Sequence, residues 1–329
     1  MLTVLDSCRK DLCYNHFRTA SVALDWEAEW ERDYGMDLLS SWDEQIHGFS
    51  YNSLRPGMPE GVTMLTYRGS GDPHTTFLDA VGGDVNIGEA GQHSSLFYNN
   101  DTEYIVLSDI ASLPQVRATT TTRTRSTLGT LRSMHPDERT INPPDVLYAA
   151  FIESMPEIGS HETAPVPVRM QPLVYSYVIR YEFEHGADHV ALARGAIAGM
   201  AESVYLRTGA TSEEAATILY DCETTAYGAV AIVRSFGVPG FADSYYGRAA
   251  GSREGRKYTL NLEVKLKNGK TKEFLFDVTD QMANQPRGGV ITVRGIRVED
   301  DEAMSGGAFD VDVEGWGEEE DVDLTVGVN

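Results

Sequence analysis

Cysteine is nearly absent from the 329-residue chain, with Cys8, Cys13 and Cys222 its only examples. No Cys-x-x-Cys pair exists, so a structural zinc site is excluded, and a disulfide scaffold cannot be built from three thiols. Positive charge is also scarce. The 27 Lys and Arg face 50 Asp and Glu, a formal charge of −23. Such a chain is repelled by a phosphate backbone, so nucleic acid is not its partner. Long apolar runs are missing as well: the longest are short pieces such as Val146 to Ile152, far from the roughly 20 residues a helix needs to cross a bilayer.

What is present is acid at one end and alternation throughout. From Glu299 to Asn329 there are 12 acidic residues and no Lys or Arg, so about half the net charge lies in the last tenth of the chain. Carboxylates at Asp310, Asp312 and Glu314 lack the Asx ladder and positional glycine of a calcium loop, and the stretch reads as a solvated face.

Period-two patterning is clearest in the second half. Leu173, Tyr175, Tyr177, Ile179, Tyr181 and Phe183 alternate with increasingly polar neighbours, which predicts a strand with one buried face. Tyr258, Leu260, Leu262, Val264 and Leu266 repeat the pattern; Asn268-Gly269 then predicts a type I′ turn, and Phe274, Phe276 and Val278 carry the return strand. Val290 to Val298, Phe309 to Val313 and Val322 to Val328 are further strands, whereas Ala187 to Met200 fits strand or helix. In the first half, Ala20 to Trp26, Val62 to Tyr67, Phe97 to Tyr98, Tyr104 to Leu107 and Val116 to Arg125 are strand segments. The polar run Thr119 to Arg125 suits an exposed or edge strand. Trp30, Tyr34, Leu38 and Trp42 recur every four residues and predict a helical insertion near 27–60.

Short strands punctuated by glycine indicate sandwiches rather than βαβ units. The expected organisation is a terminal tether over 1–18, one domain over 19–160 and a second over 165–329, divided at the Pro-rich stretch that begins at Pro165.

Catalytic signatures are not assembled. His185-Gly-Ala-Asp-His189 lacks the glutamate of a zinc helix, no Gly-x-Ser-x-Gly elbow precedes a helix, and the Gly-rich pieces at 68–71 and 82–83 read as turns. Arg117, Arg123, Arg125 and Arg132 read as a solvated basic strip. The expectation is a non-enzyme without cofactor or metal.

Met1 to Cys8 has the look of the stub of a bacterial lipoprotein signal ending at an acylated Cys8, yet seven residues cannot hold a cationic start and an apolar stretch of ~7–15 residues. Either the reading frame begins at an internal Met or Cys8 is ordinary. Whether Cys13 and Cys222 pair stays open.

Eight blocks, taken in order, resemble a family of Bacteroidetes lipoproteins in the fimbrillin, or type V pilus, superfamily. They are Arg9–His16, Val22–Trp26, Tyr98–Tyr104, Pro172–Tyr177, Gly199–Leu206, Asn268–Lys272, Phe276–Gln281 and Gly306–Trp316. The resemblance implies two transthyretin-like Greek-key β-sandwich domains, a lipid on Cys8 in the outer membrane, and a part in pili or surface adhesion as subunit, anchor or accessory component. Its partners would be other fimbrial subunits or surface ligands of host or bacterium. Assembly by strand addition would use Val322, Leu324, Val326 and Val328, whose alternate side chains fit a free terminal strand. The rival reading is a glycan-binding β-sandwich, with Trp316 between two glycines and the tyrosines of the 175–181 strand as its platform.

Overall fold

A computed structural model of the chain describes residues 18–32, 37–69, 71–88, 93–123, 134–155, 164–241, 255–304 and 321–322. In chain order its strands are β1 (Arg18–Trp26), β2 (Gly61–Tyr67), β3 (His74–Asp79), β4 (Gly82–Gly88), β5 (Ser94–Asn99), β6 (Ile105–Ser108) and β7 (Arg117–Thr120). Then come β8 (Thr122–Arg123), β9 (Arg139–Ile141), β10 (Tyr148–Ile152), β11 (Val166–Pro172), β12 (Tyr175–His185), β13 (Val190–Ala201) and β14 (Val204–Tyr205). The last are β15 (Ala215–Thr225), β16 (Gly228–Ser235), β17 (Thr259–Leu266), β18 (Thr271–Asp277), β19 (Gly289–Arg297) and β20 (Asp321–Val322). The described helices are all short, none longer than five residues.

Two β bodies result. The first is a closed barrel in the order β1-β11-β10-β5-β2-β3-β4, with β1 pairing in parallel to β11 and antiparallel to β4. Its interior holds Val22, Val62, Met64, Val85, Phe97, Tyr148, Val168 and Met170. Gly82 allows the closure: its φ is +106°, and a Cβ there would stand 2.0 Å from the Val22 carbonyl oxygen on the adjoining strand. The Pro-rich stretch is β11 itself. Its prolines sit where β1 and β10 pair over short registers, so the missing N–H groups break no long ladder.

The second body runs β18-β17-β13-β15-β16-β12-β19, with β9, β8 and β20 branching from β15. The first part of β15 pairs with β9 and β13 and its end with β16, so this one strand passes from layer to layer. Between the layers lie Tyr177, Ile179, Tyr181, Ile197, Ile218, Leu260, Leu262, Val264, Ile291 and Ile296. The Tyr181 and Tyr220 hydroxyls meet at 2.7 Å, and Tyr181 also donates to the Asn261 carbonyl at 3.1 Å. Burial drives the pKa of both phenols well above the usual tyrosine range. Ala187 to Met200 is resolved as a short 3₁₀ turn followed by β13.

Four expectations are corrected. The 27–60 insertion is not one amphipathic helix but an extended strap followed by helical turns at Leu38–Ser41, Glu44–His47 and Tyr51–Leu54. Trp30 lies in the strap, where its carbonyl accepts from the Ser176 amide at 2.7 Å and the Arg32 amide donates to the Arg287 carbonyl at 2.9 Å. Asp37, Asp43 and Ser50 each cap one of the short turns, and such repeated capping signals break a helix into pieces. This strap explains the second correction. The first part of β12 is buried on both faces, because Trp30, Tyr51 and Leu54 pack on Val178 and Val230, the side expected to meet water.

The third concerns the threonine run, which is not an edge: β7 lies between β6 and β14 in a small sheet, with Thr120 buried. Finally, the β17–β18 hairpin forms as expected, but only Gly269 has positive φ. Its three-residue loop, Lys267 to Gly269, closes through Gly269 N–H to the Leu266 carbonyl at 2.8 Å. Asn268 stays out of the left-handed region while its side-chain amide donates to the Glu302 and Ala303 carbonyls, both at 2.8 Å.

Candidate functional site

The two bodies are joined by an apolar seam. Leu65, Tyr67, Leu96 and Ala149 on the outer face of the barrel pack with Ala118 of β7 and with Leu173, Ala201, Val204, Leu206 and Phe236. Beside that seam opens a cavity of about 810 Å³. The strap contributes Trp30 and the 53–57 turn, the residue before β6 contributes Tyr104, and β8 contributes Arg123. The loop after β9 contributes Asn142 to Val146, and the second body contributes Val174, Ser176, Ile232 and Arg234.

Strand alternation places the last two. On β16, Ala229, Ala231 and Val233 face the interior, and Val230, Ile232 and Arg234 face outward. The strap covers Val230 and leaves Ile232, 52 % exposed, and Arg234 open to the cavity.

Three guanidinium groups therefore line one concavity in an acidic protein. Arg55 makes a long contact to Glu29, 3.4 Å, with both side chains substantially exposed, and its guanidinium lies 5.8 Å from the Tyr51 ring centroid. Arg123 is mostly buried and lies 3.9 Å from Asp221. Arg234 makes no ion pair among the described residues. The lining carboxylate, Asp145, is engaged elsewhere: one of its oxygens accepts from the backbone amides of Glu103 at 2.8 Å and Tyr104 at 2.5 Å. The Trp30 indole N–H is buried and has no partner among the described residues.

The residues singled out in the sequence fall elsewhere. Cys8, Cys13, Leu324, Val326, Val328, Trp316 and the Phe309 to Val313 strand lie outside the described residues. Val322 belongs to β20, which pairs antiparallel with β8 in the register Asp321 to Arg123 and Val322 to Thr122. Cys222 is half-buried on β15, against the core of the second body. Tyr175, Tyr177 and Tyr181 are no more than 1 % exposed, so they cannot form a sugar platform.

His185 and His189 do come together. Both Nε2 atoms lie 3.0 Å from one oxygen of Asp300, whose carboxyl is held below the usual carboxylate range by these hydrogen bonds. Among the described residues no set of His, Cys, Asp and Glu has an arrangement suited to a metal ion.

The arginine cavity had one legible part, Arg123 in the basic strip. Arg55 and Arg234 carried no local signal, because β16 was not recognised as a strand and nothing in the spacing joins residue 55 to residue 234.

A family model described as a domain of unknown function, DUF5119, matches residues 48–221. The chain belongs to this family. No curated protein matches it. Among solved structures, a candidate adhesin from Bacteroides ovatus superimposes with a TM-score of 0.57 at 19 % identity, covering 91 % of this chain and 98 % of that one. A candidate polysaccharide-binding protein from Bacteroides thetaiotaomicron gives 0.46 at 10 % identity over 84 % and 91 % of the two chains. The fimbrial anchor protein Mfa2 from Porphyromonas gingivalis gives 0.43 at 11 % over 84 % and 91 %. The first of these establishes a shared fold across nearly the whole of both chains.

Proposed function

We propose that this DUF5119 protein is a non-enzymatic surface protein of the fimbrial type, acting in adhesion as pilus subunit, anchor or accessory component. The observation that carries the reading is the fold shared with the Bacteroides ovatus candidate adhesin over 91 % of the chain, and the ordered fimbrillin-like blocks support it. The proposal includes an outer-membrane tether through a lipid on Cys8, partnership with other fimbrial subunits or surface ligands, and strand addition through Val322, Leu324, Val326 and Val328. It also includes two transthyretin-like Greek-key units, 19–160 and 165–329. Each lends a piece to its neighbour: the strap packs on β12 and β16, and β11 completes the barrel.

Cell fractionation with intact-mass measurement tests the location. An acylated Cys8 in the outer-membrane fraction, lost with its membrane association in Cys8→Ala, is the expected result; unmodified protein in the soluble fraction would refute the tether. Removal of Asp321 to Asn329 tests the strand: loss of higher-order species from a monomer that still folds is expected, and a melted monomer would refute the donor role.

A second reading, a glycan-binding module, is favoured by one observation, the cavity of about 810 Å³ beside the seam. It no longer draws on the buried tyrosines.

A further inference from the structure

We propose that the cavity between the two bodies binds an acidic saccharide, its carboxylates held by Arg55, Arg123 and Arg234. The inference rests on the adhesion reading only for its biological setting and specifies the kind of surface ligand met.

Its size fits a small ligand. About 810 Å³ lies within the ~300–1,000 Å³ common for small-molecule sites, enough for a short oligosaccharide and not for a folded partner. Guanidinium is the side chain best matched to carboxylate, because its planar fork makes two parallel charge-assisted bonds. In a chain of net charge −23, the concavity is lined by three arginines and one aspartate, Asp145, with Glu29 beside Arg55 and Asp221 beside Arg123, so the lining itself carries an excess of positive charge. It selects an anion in spite of the field of the whole molecule.

The remaining lining decides between a sugar and a peptide. Acidic peptides are commonly taken up by strand addition, which needs a free row of backbone donors and acceptors. Here the wall at Pro56, Pro143 and Pro144 offers no N–H, and β8 is paired along one side with β9. What the wall does offer is the apolar faces of Pro56 and Pro143 and the Tyr104 ring, against which the C–H face of a sugar packs.

The test is calorimetric titration of the full chain with trigalacturonic acid, with its methyl ester as uncharged control and with a synthetic peptide spanning Gly317 to Leu324. Acid trimer binding that weakens with added salt, with at least about tenfold loss in Arg234→Gln and in Arg55→Gln, is expected, because each substitution removes a charge-assisted contact. Arg294→Gln, an exposed arginine on β19 away from the cavity, should bind as wild type. Unchanged melting temperatures would confirm that Arg234→Gln folds, as its lack of an ion pair implies. No binding of the acid trimer, equal binding of the ester, or indifference to Arg55 and Arg234 would overturn the proposal, as would binding of the peptide alone. None of these failures touches the tether, which fractionation tests separately.

Discussion

Trp30 should be the residue on which the strap depends, and its two truncations should behave differently. The side chain is 1 % exposed and packs on Tyr51 and Trp42 at ring separations of 5.2 and 5.7 Å, with Val178 and Val230 of the second body beneath. Trp30→Ala removes the largest side chain of that cluster and leaves a cavity framed by strands that cannot collapse, so the loss should be about 3–5 kcal/mol. Trp30→Phe is the discriminating variant. It removes part of the apolar surface but also the buried indole N–H, which has no partner among the described residues and whose burial costs about 1–3 kcal/mol. The two terms oppose, and the net change should stay within about 1 kcal/mol. Urea unfolding followed by far-UV circular dichroism measures both, with a constant slope as the check that only stability has moved. If Trp30→Ala costs under about 1 kcal/mol, the strap does not hold the second body. A Phe variant as damaged as the Ala variant would mean that the N–H has a partner after all.

Three other outcomes follow from the geometry. Gly228 opens β16 with φ +142°, and a Cβ there would meet the Tyr181 carbonyl oxygen at 2.2 Å, so Gly228→Ala should lower stability by about 1–3 kcal/mol in the same assay. In the buried phenol pair, Tyr181→Phe should cost more than Tyr220→Phe, because Tyr181 retains the Asn261 carbonyl whereas Tyr220 is left without a partner; equal losses would contradict this. His47 stacks on Trp42 at 3.9 Å, and burial, with Arg180 3.3 Å away, lowers its pKa from 6.5 despite the opposing pull of Asp43. The unfolded chain then takes up the proton first as pH falls. Stability is therefore full above about pH 6.5 and declines toward the lowered folded value, a decline that His47→Gln should reduce.

The parts of the fold legible in the sequence are those whose strands set polar residues among apolar ones. Ala20 to Trp26, Val62 to Tyr67 and Tyr258 to Leu266 are β1, β2 and β17; β2 and β17 are covered on both faces, yet both keep polar residues, Thr63 and Thr66 in β2 and Asn261 and Glu263 in β17. Where both faces are apolar, alternation fades. β15 and β16 were missed for that reason, since Ala216 to Tyr220 and Gly228 to Ala231 are buried without interruption. The hairpin of β3 and β4 was missed for the opposite reason: His74 to Phe77 is largely exposed, and Gly82-Gly83 reads as a turn although it opens a strand. The helical expectation failed because fourfold aromatic spacing also arises when an extended strap and a capped turn each drop one ring into the same pocket. Trp30 and Trp42 do so from two different local conformations. Of the cavity only Arg123 was legible, since its arginines are assembled by strand order and not by spacing.

Strand order also bears on how well that cavity can hold a ligand. Its walls come from the strap, the residue before β6, β8, the loop after β9 and β16, so its shape would vary if the bodies moved against one another. The seam opposes such motion. Leu65, Leu96 and Ala149 on one side and Ala201, Val204, Leu206 and Phe236 on the other are each no more than 2 % exposed, a continuous apolar contact rather than the polar interface typical of mobile domains. The strap adds a second attachment by packing on β12 and β16, and β11 ties the second half of the chain into the barrel. A pocket framed in this way is set before any ligand arrives, so little ordering entropy is lost on binding and modest contacts are enough for measurable affinity.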